Sequence, residues 1–309
     1  MIKYIATASI LKAFSINEQT RKAYRFLGNS MGGRSRADSR MPSYYIERVQ
    51  RTLDLTKRYG LLRDGARLLE LGTGWMHWEA LTTRLFFDIK ADLYDVWDNR
   101  QLPALKSYLQ QLVDSLDKIT GITDEERSRA KALAASVMQA KDFPELYELL
   151  GFRYVLDPKG MLGGLEDGSY DLIVSAGVFE HLPRGTVPEY IRQTSRVLKP
   201  GGYAVHSINT ADHLHLYDMV TSPKNYLRYS DRSWKLLFEN ELQYINRLQR
   251  CEWMQIFEDA GFHCIEEFGS KCDVGGLKIH AQFQSMDRVS LETTSWYAVY
   301  QKPVSGLPA

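Results

Sequence analysis

Residues 68–76 read Leu-Leu-Glu-Leu-Gly-Thr-Gly-Trp-Met. A short apolar run, Ala66 to Leu69, ends in Glu70, turns through Gly72-Thr73-Gly74 and enters a helix-like stretch from His77 to Phe87. A strand that feeds a helix through a glycine turn leaves backbone N–H groups free at the helix start, where they can hold the polar part of a nucleotide-like ligand. Twenty-three residues after Gly72, a second apolar segment ends in Asp95. That is the spacing at which a carboxylate can grip ribose hydroxyls. The turn and the acidic residue together fit a strand–turn–helix unit that binds a nucleotide-like ligand.

The rest of the chain keeps that alternation. Further strand patterns run from Phe152 to Leu156, Tyr170 to Ser175, Tyr203 to Ile208, Phe262 to Phe268 and Thr294 to Gln301. Tyr170 to Ser175 carries the apolar run Leu172-Ile-Val174, as a strand buried on both faces does. Helical spacing appears after Pro42, with Ile46, Val49, Leu53 and Leu55, and again from Val187 to Leu198 and from Cys251 to Ala260. Gly28 to Arg40 reads as a basic, Gly-rich connection, and Lys199-Pro-Gly-Gly202 as a turn. Residues 101–150 are too many for an ordinary βα connection and read as a helical insertion. Pro103 lies near its start, Thr123 and Glu126 have capping-box spacing, and Asp142-Phe-Pro144 opens a third helix. The expected fold is a doubly wound, seven-stranded, mostly parallel Rossmann-like sheet with an antiparallel last strand. Residues 1–60 form an N-terminal helical extension and 61–309 the main domain.

Composition narrows the partners. The net charge is +1 over 309 residues, so the chain as a whole does not present a basic surface to nucleic acid. Residues 1–60 hold twelve Lys or Arg against four Asp or Glu. The plain reading is a solvated helical surface; the alternative is an anionic substrate or peripheral contact with a membrane. Residues 1–14 read as an amphipathic helix packed on the domain. No apolar run approaches the roughly 20 residues of a membrane span. Cys251, Cys264 and Cys272 form no CxxC pair, which argues against a zinc site or a disulfide framework and fits a reducing cytoplasm.

Four segments together resemble the class I methyltransferases that use S-adenosylmethionine, in particular the bacterial small-molecule, type 11-like group. They are Glu70-Leu-Gly-Thr-Gly74, the acidic Asp95, Ser169-Tyr-Asp-Leu-Ile-Val-Ser-Ala-Gly-Val-Phe-Glu-His-Leu-Pro183, and Leu198-Lys-Pro-Gly-Gly202. The resemblance implies that Gly72, Thr73 and Gly74 admit the methionine part of the cofactor and that Glu70 orients its amino group. It implies that Asp95 holds the ribose, that Gly160 to Leu162, with Met161 at their centre, lie near adenine, and that Ser175 and Ala176 offer carbonyls to the ammonium. There are two departures. Trp75 and Met76 stand where a further glycine is often found. Some relatives also carry a Glu-x-x-Glu-His metal-binding cluster, whose first position here is Gly177, so no metal is expected.

Methyl transfer from a sulfonium needs positioning more than acid catalysis, and a hydroxyl acceptor also benefits from a base. His181 follows the fourth strand, and His213 and His215 follow the fifth. His213 or His181 is the expected base, with Asp212 or Glu180 orienting it; the structural reading is that the imidazoles bind backbone. Residues 209–250 are aromatic and basic. They read as an acceptor-side cover, with Tyr226, Tyr229, Trp234, Arg228 and Arg232 as candidate pocket groups. The expected activity is O-methylation of a sugar, glycan or secondary-metabolite hydroxyl or carboxylate. Alternatives are a non-catalytic cofactor-binding subunit and a nicotinamide-dependent oxidoreductase.

Overall fold

Apolar strands buried on both faces need helices on both sides, and that requirement sets the architecture. The computed structural model describes residues 2–304. Its strands are β1 (Ala66–Leu71), β2 (Ile89–Asp95), β3 (Phe152–Leu156), β4 (Tyr170–Ala176), β5 (Leu198–Asn209), β6 (His263–Lys271) and β7 (Thr293–Gln301), in the order β3-β2-β1-β4-β5-β7-β6. β1 to β5 are parallel, and β7 runs antiparallel to both β5 and β6. The order reverses between β1 and β4. This opens the crevice at their carboxyl ends where ligands bind in such sheets.

The helices before the sheet are α1 (Ile2–Phe14), α2 (Glu18–Asp38) and α3 (Ser43–Tyr59). Then come α4 (Trp78–Phe86), α5 (Leu102–Val113), α6 (Asp124–Gln139), α7 (Phe143–Leu150), α8 (Val187–Val197), α9 (Asp231–Leu237), α10 (Arg250–Asp259) and α11 (Arg288–Glu292). Successive side chains of β1 serve opposite layers. Leu68 joins a core shared with α3 to α7, while Leu69 and Leu71 join one shared with α8 and α10. The helices of 101–150 are therefore part of the main core. Thr123 and Glu126 form the expected capping box of α6, and Asp142 caps α7.

Two local expectations are corrected. Gly28 to Arg40 is not a connection: α2 continues through it to Asp38. Asn17 and Thr20 form a capping box at its start, and tertiary packing against α5 outweighs the low helix propensity of its glycines. A Cβ on Gly33 would already lie 3.4 Å from Gln101 Oε1, so this glycine suits the close approach. Lys199 to Gly202 is not a turn before the strand but an irregular entry within β5. The pairing with β4 shifts register between Tyr170 and Leu172, and a Cβ on Gly202 would lie 3.0 Å from the Asp171 carbonyl oxygen.

A third core holds the N-terminus to the 209–250 cover. Tyr4, Ala8 and Leu11 of α1 pack with Tyr226, Leu227, Trp234 and Phe238. A helix this short is marginal alone. Burial worth about 1.5–3 kcal/mol for a large apolar side chain fixes it. Its outer face leaves Ile2, Ile5 and Ile10 exposed. Beneath the cover, Lys224 is fully buried, and its Nζ donates to Gln249 Oε1, the Tyr226 hydroxyl and Thr210 Oγ1. With no carboxylate among these partners, burial lowers its pKa to about 7. Among the described residues no helix is long and apolar enough to cross a membrane.

Candidate active site

The glycine turn closes against the loop after β4. Gly72 and Gly74 both have φ of +63°, the left-handed region that favours glycine. A Cβ on Gly72 would meet both γ-methyls of Val178, the farther at 2.9 Å. A Cβ on Gly74 would meet nothing nearer than the Gly72 carbonyl oxygen at 3.9 Å, so this glycine borders open space. Asp95 ends β2 beside it and is buried. Its Oδ2 accepts the Gly74 N–H at 2.9 Å and its Oδ1 the Val96 N–H at 2.8 Å. Burial raises its pKa against these opposing bonds. The Trp97 N–H also interacts with it, and since a carboxylate has about four lone-pair positions, Asp95 keeps room to accept about one further hydroxyl. The open cradle at Gly74 and the pre-oriented carboxylate fit a ribose-bearing cofactor.

The segment expected near adenine is held by Tyr94. Its hydroxyl donates to Asp157 Oδ2 at 2.6 Å and accepts the Leu162 N–H at 3.2 Å. This fixes the segment that carries Met161. Val96 and Trp97 are exposed next to it, and a Cβ on Gly160 would lie 3.1 Å from Val96 Cγ1.

Other named residues have internal partners. Glu70 is buried, and its Oε2 accepts the Ala80 N–H at 2.8 Å, satisfying a free donor at the start of α4. Burial and then the neighbouring Glu79 carboxylate hold its pKa well above the usual range. The Thr73 hydroxyl bonds His77 Nδ1 at 2.7 Å, and His77 Nε2 bonds the Tyr147 hydroxyl at 2.9 Å. His77 has φ of +52°, and these bonds from both sides hold it there. Through Tyr147 the insertion braces the glycine turn. The two departures do not fill the crevice: Met76 is in the main core, and the Trp75 ring packs edge-on against Tyr108 of α5. Ser175 Oγ bonds His206 Nδ1 at 2.9 Å, which leaves His206 as a packed core residue beside Phe179 and Phe257.

Beyond Ala176 and Gly177 lies a cavity of about 760 Å³, within the usual range for small-ligand sites. His181, His213, Glu180 and Asn209 line one side. Tyr44 and Arg48 of α3 and Tyr297 of β7 line the other. The sequence reading missed this second wall. Its only signal was the pair of polar residues set beside the apolar stripe of α3.

The structure brings His181 and His213 together, with ring centroids 5.1 Å apart. His181 Nδ1 lies 2.7 Å from the Tyr244 carbonyl oxygen and donates to it, leaving Nε2 a lone pair. His181 keeps an exposed surface, yet packing around its ring lowers its pKa. Burial, and then His181, lowers His213 to about 4. Glu180 accepts the Asn209 N–H at Oε1, and burial raises it to about 8. Asp212 does not orient either ring through any hydrogen bond among the described residues. Its Oδ2 accepts the Tyr4 hydroxyl at 2.6 Å and its Oδ1 caps Leu214 N–H. Burial raises its pKa to about 6 against those bonds. Tyr226 and Trp234 belong to the third core rather than to the cavity.

The sheet order, the glycine loop and the carboxylate at the end of β2 define an α/β protein that binds a nucleoside cofactor. Residues 37–267 match the family described as a methyltransferase domain. The chain belongs to that family: it is a methyltransferase, and its cofactor is S-adenosylmethionine. It is also similar to a SAM-dependent methyltransferase from Methanosarcina mazei (13% identity, 81% of this chain and 98% of that one, TM-score 0.45). A second similar structure is phosphoethanolamine N-methyltransferase 2 from Haemonchus contortus in complex with S-adenosyl-L-methionine (14%, 82% and 52%, 0.46). A third is the YcgJ protein from Bacillus (14%, 83% and 99%, 0.42). No curated protein matches the chain.

Proposed function

We propose that the chain methylates an oxygen of a small polar acceptor bound in the cavity beyond β4 and β5. One observation carries this reading. Ala176 and Gly177 at the end of β4 form one edge of a cavity whose wall holds the unpartnered His213 Nε2. When bound, S-adenosylmethionine supplies a methyl group on a positively charged sulfur. Gly72, Gly74 and Asp95 hold the cofactor, and the carbonyls of Ser175 and Ala176 face its ammonium. Nε2 of His213 or His181 binds the acceptor hydroxyl and takes its proton. Tyr44, Arg48 and Tyr297 line the opposite side and contact the acceptor. Polar-tipped aromatics beside an imidazole pair suit a sugar or secondary-metabolite hydroxyl. Cys251, Cys264 and Cys272 are free, which supports a reducing, cytoplasmic setting. The exposed isoleucines of α1 support peripheral membrane contact as a separate property.

The test supplies methyl-labelled S-adenosylmethionine with fractionated small molecules from the source cell. Label is expected in a small molecule as an O-methyl group. Label on nitrogen or carbon, or on macromolecules alone, would contradict the reading. Cofactor binding with no transfer to any fraction would favour a cofactor-binding subunit.

A further inference from the structure

We propose that Glu180, His181 and His213 bind one divalent cation in the wall of this cavity. One carboxylate oxygen and one ring nitrogen from each histidine all lie within 4.8 Å of one another. The residues come from two loops, after β4 and after β5, which the parallel pairing of these strands sets side by side.

Two of the three donor groups have nothing else to bind among the described residues. Glu180 is 3% exposed and its Oε2 has no hydrogen-bond partner; His213 is 9% exposed and its Nε2 has none. Buried acceptors of this kind are costly unless something occupies them. Outer contacts already orient two of the groups. The Tyr244 carbonyl accepts the Nδ1–H of His181, which leaves the Nε2 lone pair free, and the Asn209 N–H holds Glu180 Oε1. Carbonyl and N–H partners orient ligands in this way at metal sites. In a filled site with bonds of about 2.1 Å, ligand atoms lie roughly 3–4 Å apart.

The donor set of two imidazoles and one carboxylate selects zinc, cobalt or ferrous iron over magnesium or calcium. Three protein ligands would leave a coordination position open, and all three residues line the cavity. With the ion bound, the imidazole nitrogens would be ligands rather than free bases, and the ion would acidify a coordinated acceptor hydroxyl in their place, its proton passing to water; this role rests on the acceptor reading above, while binding of the ion does not. The sequence pattern conceals the site because Gly177 stands where some relatives carry a first glutamate, and the third donor, His213, comes from the loop after β5.

The test titrates the metal-free full chain with Co²⁺, followed by its visible spectrum, and then with Zn²⁺ by calorimetry. One Co²⁺ per chain is expected, with nitrogen and oxygen ligation and displacement by Zn²⁺. His181→Ala and Glu180→Gln should each weaken binding at least about tenfold. S-adenosylmethionine titration reports whether each variant is folded, and His181 is exposed enough for its variant to decide the matter alone. The proposal is overturned by absent or non-saturating binding, by unchanged affinity in His181→Ala, or by thiolate charge-transfer bands that assign the ion to the cysteines. If methyl transfer to a small acceptor persists while no cation binds, the acceptor reading stands and this one fails. If the cation binds through these ligands and no small molecule is methylated, the cation site stands and the acceptor reading fails.

Discussion

Gly72→Ala is expected to lose S-adenosylmethionine binding and to destabilise the chain by about 2–5 kcal/mol. Two costs add. A non-glycine residue at φ +63° is strained by roughly 1–2 kcal/mol. The new methyl also meets Val178, whose branched side chain has few rotamers to escape into; overpacking of this kind costs about 1–3 kcal/mol. Relief by shifting the turn would pull Gly74 from Asp95 and spoil the cradle. Chemical denaturation measures the loss, and the double variant Gly72→Ala/Val178→Ala separates the two parts. The second change should recover the overpacking share and leave the backbone share. A single variant with wild-type stability and affinity would show that the loop is not packed as described.

His213→Ala should reduce methyl transfer by about 10²- to 10⁴-fold, the usual worth of a positioned proton acceptor, with cofactor affinity unchanged. The ring lies in the cavity wall with Nε2 unpartnered, so its removal strips the acceptor's contact without breaking a protein hydrogen bond at that atom. Asp212→Asn provides the contrast. Its carboxylate holds Tyr4 and the turn at Leu214, so its loss should loosen α1 and lower stability more than turnover. Initial rates with the acceptor found by labelling, together with melting curves, distinguish the two. Equal loss of turnover in both variants would restore Asp212 to the chemistry.

Local patterns could be read directly from the chain. The glycine turn, the acidic end of β2, the buried run of β4 and the capping box at Thr123 depend on residues close in sequence, where periodicity and turn chemistry act. What could not be read depends on distant partners. The helical path of α2 through its glycines comes from packing on α5. The tie between Tyr4 and Asp212 joins the N-terminus to the loop after β5. His181 was read with its neighbour Glu180, but its meeting with His213 follows from the pairing of β4 with β5. Tyr44 and Arg48 were passed over because only the apolar face of α3 carries a periodic signal. Their place in the cavity depends on where that helix docks.

A calorimetric titration of the chain with S-adenosylmethionine, beside its Asp95→Ala variant, tests the central claim most directly. One cofactor per chain is expected, with affinity about 100-fold weaker when the carboxylate is removed, the scale of one or two hydrogen bonds to a charged group. No binding by the wild type, undiminished affinity in Asp95→Ala, or binding of a nicotinamide dinucleotide instead would contradict it.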